Sequence, residues 1–267
     1  MTKSEISTIA GTLALECREP GDWQFEMAKV SSEYNGELEI LKINMRADRP
    51  SVPPEFRVAA LTPQDDFQHR WTAVNKTMGI PPNWWSEMNT QLAVGMPVVA
   101  LINQRGENRL SVVVSEAKRL VKLYSGIVEE GCLVENAMRF FCIPEAPLAF
   151  YEVFIRFDRR RINFADAIRD ASNWFTTFPE YKPCLPPAAA YEPLYSTWYN
   201  FHQNVFDHEI EAECAIAAKL GMKSIILDDG WQTEDTHRGY AYCGDWAVSP
   251  RRFPDMHGHV AKIHALG

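Results

Sequence analysis

The sequence predicts a multi-domain chain of β plus α/β class: an antiparallel β-sandwich over residues 1–160, a helix and Pro-rich linker over 161–192, and parallel βα units over 193–267. Three observations carry this. Short segments rich in Val, Ile, Phe and Tyr, divided by Gly, Pro, Asn and charged residues, fill the first half. Five prolines (179, 183, 186, 187 and 193) then fall within fifteen positions, a density that stiffens the chain and breaks helix and sheet ladders alike. Beyond them the order turns to strand, helix, strand, loop, helix, which implies parallel strands joined by right-handed crossovers.

The sandwich strands include Leu38–Met45, Phe56–Leu61, Pro97–Ile102, Leu110–Val114, Leu120–Ile127 and Leu148–Phe157, all partly alternating. Asn103-Gln-Arg-Gly-Glu-Asn108 between two of them is a hairpin signal. The basic run Arg159–Arg161 reads most simply as a solvated turn. The period then changes: Phe164, Ala167, Ile168, Ala171, Trp174 and Phe175 share one face of an amphipathic helix.

After the prolines, Leu194–Tyr199 has the propensity of a strand and ends in the polar stretch Asn200–Asn204. A helix follows over about Asp207–Leu220, with Ile210, Cys214, Ala217 and Ala218 on one face. Asn204 or Asp207 can cap its start, and Gly221 sits where a C′ glycine belongs. A second strand, Lys223–Leu227, comes at once, and after a long loop a helix runs over about Asp255–Leu266. Such units open either a doubly wound sheet or a (β/α)8 barrel. Two of them fall short of the ~250 residues of a complete barrel, so the expectation is the N-terminal fragment of a longer protein.

Bulk composition narrows the classes. The chain has 267 residues, 46% apolar and 23% charged, ordinary values for a soluble globular protein. A net charge of −8 argues against nucleic acid and anionic membrane as partners. No apolar run approaches the ~20 residues that span a bilayer, and the modest apolar stretch near the N-terminus does not read as an h-region with a small-residue cleavage site. Cys17, Cys132, Cys142, Cys184, Cys214 and Cys243 form no Cys-x-x-Cys pair and read as reduced thiols of a cytoplasmic protein. The sequon Asn75-Lys76-Thr77 then carries little weight. His257, His259 and His264 have a poor register for a joint metal site. No glycine-rich nucleotide loop or Gly-x-Ser-x-Gly elbow occurs. Neither a metal nor a cofactor is expected.

The stretch Ser224–Trp231 is the richest in chemistry. Ile225, Ile226 and Leu227 read as a strand buried on both faces, and they stop at Asp228 and Asp229. Strands of parallel sheets present functional groups at their carboxyl ends. Consecutive residues on a strand point to opposite faces, so both acids reach one ligand only if the strand ends between them; Gly230 permits that turn. The same triplet also reads as a capped turn. Trp198, Trp231 and Trp246 fall on or just after these two strands. Indole faces stack on sugar C–H faces and the N–H donates to hydroxyls, although core packing is the commoner fate of tryptophan. His202 and Gln203, just past the first parallel strand, are further candidates on the same loop face.

Tyr195–Asn204, Ile226–Gln232, Gly244-Asp-Trp246 and Phe253-Pro254, taken together, resemble glycoside hydrolase family 36, the α-galactosidases. The resemblance is specific over about residues 190–267 and brings no sharp motif to the first half. It implies a β-sandwich followed by a truncated (β/α)8 (TIM) barrel of which the chain holds the first two βα units. It implies retaining hydrolysis of terminal α-linked galactose in oligosaccharides of the melibiose or raffinose type. Asp228 and Asp229 correspond to the aspartates that bind galactose hydroxyls, and Trp246 to a tryptophan of the galactose pocket. The family's nucleophile and acid/base would lie beyond Gly267, so no catalytic residue is expected here, and the fragment alone would be inactive. In Pro81-Pro82-Asn83-Trp84-Trp85, Trp85 is the candidate for an aromatic lent by the first domain. The resemblance leaves open a homo-oligomer in the full-length protein. Two other readings stand beside it: a non-catalytic carbohydrate-binding protein, and galactosyl transfer of the raffinose synthase type.

Overall fold

The computed structural model describes residues 1–74, 78–85, 87–91, 94–234 and 246–267. The triplet 75–77, Cys243, Gly244 and Asp245 singled out above lie outside the described residues. The chain divides into two compact units, Met1–Pro183 and Cys184–Gly267.

Twelve strands of the first unit run, in order, as β1 (Thr2–Thr8), β2 (Gly11–Cys17), β3 (Gln24–Glu33), β4 (Leu38–Ser51), β5 (Phe56–Pro63), β6 (His69–Thr72), β7 (Met88–Thr90), β8 (Val98–Ile102), β9 (Asn108–Val114), β10 (Val121–Val128), β11 (Leu133–Phe140) and β12 (Leu148–Asp158). They form two six-stranded sheets, ordered β1-β2-β5-β11-β10-β7 and β3-β4-β12-β9-β8-β6. Every strand pair within them is antiparallel. Alternate residues point inward. Leu13 and Leu15 of β2, Val58 of β5 and Met138 and Phe140 of β11 meet Leu41, Ile43 and Met45 of β4 and Val153, Ile155 and Phe157 of β12 in one buried cluster. Two antiparallel sheets sharing one core of alternating residues are a β-sandwich. Phe56 stacks on Phe140 across neighbouring strands, with centroids 4.7 Å apart.

β8 and β9 are buried along their whole length. Their continuous apolar runs follow from having cover on both faces. Val99, Leu101, Leu110 and Val112 point into the sandwich core. On the other face Val98 and Val113 pack against Ala171 and Phe175 of helix α1 (Phe164–Phe175). The apolar spacing expected for this helix is the stripe that docks on the sheet, and the Asn163 side chain caps it by accepting from the Ala165 N–H at 2.9 Å. The hairpin between β8 and β9 is set by Asn103, whose Oδ1 accepts from the N–H groups of Arg105 and Glu107. Gly106 supplies the left-handed position, φ +77°.

The basic run departs from expectation. Arg161 is exposed, but Arg160 is buried at the end of β12. Asp158, 0% exposed, accepts from Arg156 Nη2 at 3.0 Å and from Arg160 Nη2 at 2.6 Å. Arg160 also reaches Asp170 of α1 at 2.7 Å and lies over the Tyr34 ring. Burial without a partner would cost several kcal/mol per ion, so the run is organised by its carboxylates instead of solvated.

In the second unit, β13 (Leu194–Ser196) and β14 (Ser224–Ile226) pair in parallel, Tyr195 opposite Ile225. A single helical turn, α2 (Trp198–Phe201), interrupts what the sequence suggested as strand to Tyr199. α3 (Asp207–Lys219) and α4 (Met256–His264) follow as expected. Val205, Ile210, Cys214 and Phe253 form the unit's buried core, with Ile225, Leu227 and Trp231 packed against it. Two details differ from expectation. Phe206, not Asn204 or Asp207, occupies the N-cap of α3, without a side-chain cap, while the Asp207 carboxylate accepts from the next N–H, that of His208. Ile226 is 48% exposed, so β14 is not covered on both faces. Ile210 and Cys214 of α3, Met256 and Ile263 of α4 and Phe201 of α2 pack with Ile225 in the unit's core. No helix among the described residues is long and apolar enough to cross a membrane.

Candidate functional site

The carboxyl ends of β13 and β14 are joined by a short chain of hydrogen bonds. Thr197, fully buried one residue past β13, donates its N–H to the Ile226 carbonyl at 3.1 Å. Its hydroxyl accepts from the Asp228 N–H at 3.0 Å. The chain then turns sharply. Asp228 Oδ1 accepts from the Asp229 N–H at 2.8 Å, and Gln232 Oε1 accepts from the Gly230 N–H at 2.9 Å. The Gln232 amide returns a bond to Asp229 Oδ1 at 3.1 Å.

Gly230 has φ +111°, and a Cβ there would meet the Gln203 carbonyl oxygen at 2.3 Å. Glycine is therefore required twice over, by backbone conformation and by the close approach of the loop after β13. Buried Arg252 donates to that same carbonyl. The two carboxylates are partly exposed. Among the described residues, one oxygen of each (Oδ2) accepts no hydrogen bond, so both are open to hydroxyl donors.

The tryptophans divide into two groups. Trp231 and Trp246 approach with centroids 6.1 Å apart at an interplanar angle of 56°. Trp246 is 64% exposed and sits at φ +57°. Its loop is held where the Ser249 N–H donates to the Trp231 carbonyl at 2.8 Å. Trp198 opens α2 and meets the His202 ring edge-on at 5.2 Å. His202 is itself at φ +50°. The buried Gln203 Oε1 and the His202 Nδ1 make no hydrogen bond among the described residues. Trp85 belongs to the first unit, on the 3-10 turn Asn83–Trp85, and is 81% exposed.

Thr197, Gln232 and Arg252 hold this turn, a role not assigned to them from the sequence alone. Gln232 carried a signal: an amide two residues after the Asp-Asp-Gly triplet is placed to close the turn from the side chain. Thr197 carried none, because its partner is a backbone N–H 31 residues away. His259 is buried against Phe253, with Nδ1 3.2 Å from Glu211. No group of three or more acidic, His or Cys side chains among the described residues is placed to hold a metal.

No protein-family model matches the chain, and no curated protein matches it by sequence. Solved structures do match it over nearly all of its length. An α-galactosidase from Lactobacillus brevis superposes with TM-score 0.52 at 12% identity, covering 99% of this chain and 38% of that one. A doubly substituted family 36 α-galactosidase from Geobacillus stearothermophilus, in complex with raffinose, gives TM-score 0.51 at 12% identity, covering 99% and 46%. An α-N-acetylgalactosaminidase from Bifidobacterium bifidum, in complex with GalNAc, gives 0.53 at 14%, covering 100% and 49%. The chain thus spans less than half of each of these proteins. Its fold is one it shares with part of the glycoside hydrolase family 36 α-galactosidases.

Proposed function

We propose that this chain recognises terminal α-linked galactose, as part of a retaining α-galactosidase acting on oligosaccharides of the melibiose or raffinose type. The observation that carries the reading is the pair of half-free carboxylates at the end of β14, locked to the end of β13 through Thr197. Asp228 and Asp229 accept from sugar hydroxyls, and Trp231, Trp246 and Trp198 offer indole faces and N–H donors. In this reading β13, α3, β14 and α4 open a (β/α)8 barrel, whose ligands gather at the carboxyl ends of the strands. The shared fold with glycosidases crystallised with raffinose or GalNAc supports it. Trp85 is proposed as the aromatic that the sandwich contributes.

The role assigned to the two aspartates is binding. Retaining hydrolysis needs two carboxyls ~5–5.5 Å apart on opposite sides of the glycosidic bond. Consecutive residues, one of which holds the other's N–H, cannot flank a bond in that way. No residue of 1–267 is proposed as nucleophile or acid/base, and the chain by itself is expected to leave an aryl α-galactoside uncleaved.

Calorimetric titration with galactose and glucose tests the reading. Galactose should bind the more tightly, and Asp228→Asn or Asp229→Asn should weaken it about tenfold or more, the worth of a charge-assisted hydrogen bond. Equal affinity for the two sugars, or unchanged galactose binding in both variants, would sink it.

A further inference from the structure

The outer face of the first sheet carries a cavity of about 970 Å³ that uses no residue of the Asp228 site. Its floor is a row of cross-strand partners. Glu16 of β2 lies opposite Arg57 of β5 and Arg57 opposite Arg139 of β11, and Lys122 of β10 stands opposite Arg139 beyond the lining. These residues alternate with the inward-facing core positions, so all project outward from the sandwich.

The charges on this face are largely spent on one another. Arg139 gives Nε and Nη2 to Glu55 Oε1 at 2.9 and 2.7 Å, and Nη1 to Glu87 Oε2 at 2.9 Å. Lys122 takes the other Glu87 oxygen at 2.9 Å. Arg57 donates twice to the Tyr124 hydroxyl and pairs with Glu135. The hydrogen bond to Glu55 leads the contacts that push the Arg139 guanidinium above its ordinary range. At the rim stand Trp84, 69% exposed, and the chain Val52-Pro53-Pro54. The lining holds Glu16, Glu19, Glu55 and Glu87 against Arg18, Arg57 and Arg139.

This chemistry selects a ligand class. An anion would have to take Arg139 from two carboxylates, and a cation would have to take those carboxylates from Arg139. A neutral polyol meets neither cost: its hydroxyls donate to carboxylate lone pairs left over and accept from remaining guanidinium N–H groups. A large exposed indole beside a polar network is the arrangement that stacks a pyranose ring. We propose that this cavity is a carbohydrate-binding site for a neutral oligosaccharide, with one ring on Trp84 and hydroxyls bridging the Arg139–Glu55–Glu87 network. The site lies wholly in the sandwich unit and stands or falls apart from galactose recognition at Asp228.

The test uses the whole chain with 15N-labelled tryptophan indoles, the Trp84 resonance being assigned by its loss in Trp84→Phe. Raffinose, maltotriose, cellotriose and inorganic phosphate are titrated separately. At least one trisaccharide should shift the Trp84 signal saturably while phosphate leaves it in place. Trp84→Ala should abolish that trisaccharide's calorimetric binding to the sheet site, and Trp84→Phe should retain part of it. Arg139→Gln should weaken it about tenfold or more, and Glu87→Gln replaces that variant should it fail to fold. Asp228→Asn should leave the Trp84 shift intact. The proposal is overturned by a Trp84 signal that no trisaccharide moves, by one that phosphate moves, by an affinity that is unchanged when the Arg139–Glu87 contact is lost, or by a shift that disappears with Asp228→Asn.

Discussion

The hydroxyl of Thr197 accepts the backbone N–H of Asp228 at 3.0 Å, and that bond fixes where the chain leaves β14. Thr197 is fully buried, so water does not substitute for it easily. Thr197→Val keeps the shape and removes the acceptor. An unsatisfied buried N–H costs ~1–3 kcal/mol, so the Asp228 amide should exchange with solvent roughly 5–150 times faster. Hydrogen exchange followed by NMR reads this directly, with Thr197→Ser as the control that retains protection. Equal protection in Thr197→Val and the parent would remove the threonine from its pinning role.

Gly230→Ala meets two obstacles at one position. The backbone stands at φ +111°, and the new methyl would lie 2.3 Å from the Gln203 carbonyl oxygen, a backbone atom that cannot swing aside. Strain of this kind costs ~1–3 kcal/mol before the contact is counted. The urea midpoint of the Cys184–Gly267 unit should fall, and galactose affinity with it. A variant with the parent's midpoint would mean that the loop after β13 gives way freely.

Asp158 is the shared acceptor for Arg156 and Arg160. Asp158→Asn leaves the buried Arg156 guanidinium without its counter-charge and Arg160 with Asp170 alone, a loss of ~3–5 kcal/mol for a broken buried pair. Guanidinium denaturation of the sandwich unit measures it. Arg161→Gln, at an exposed position of the same run, should stay within about 0.5 kcal/mol of the parent. A loss within about 0.5 kcal/mol in Asp158→Asn as well would return the whole run to a surface role.

Glu211 links α3 to α4. Burial would raise its carboxyl, but hydrogen bonds from Lys262 and His259 outweigh that and hold it below the ordinary glutamate value. A depressed folded value stabilises the charged form. The contribution is therefore complete above the unfolded value of ~4.3 and disappears as pH falls through the lower folded value. The α4 amide signals should shift together in that acidic window, and Glu211→Gln should flatten the transition. An identical acid transition in Glu211→Gln would assign it to another group.

Much of this architecture was legible because it rests on local periodicity. The strands read from apolar runs correspond to β4, β5, β8, β9, β10 and β12, and the helical spacing after Asn163 marks the stripe of α1 that docks on β8 and β9. What escaped was set by distant partners. Arg160 looks like surface until Asp158 and Asp170 are placed beside it, and Trp198 looks like strand until the chain turns to pair Thr197 with Ile226. At the site, the aspartates and Gly230 were readable from composition and turn chemistry. The Thr197 and Arg252 contacts were not, since each joins residues tens of positions apart.

The network around Asp158 also governs how this molecule bears a load. Arg160 grips the end of β12, α1 and the Tyr34 ring at once. Tension applied to the segment after Phe175 would reach the sandwich through α1, and peeling that helix away means parting the Arg160–Asp170 ion pair along with the Ala171 and Phe175 packing. In single-molecule pulling from the C-terminal side, the first rupture of the sandwich unit should therefore be sensitive to Asp170→Asn, although Asp170 lies on no sheet and touches no candidate ligand.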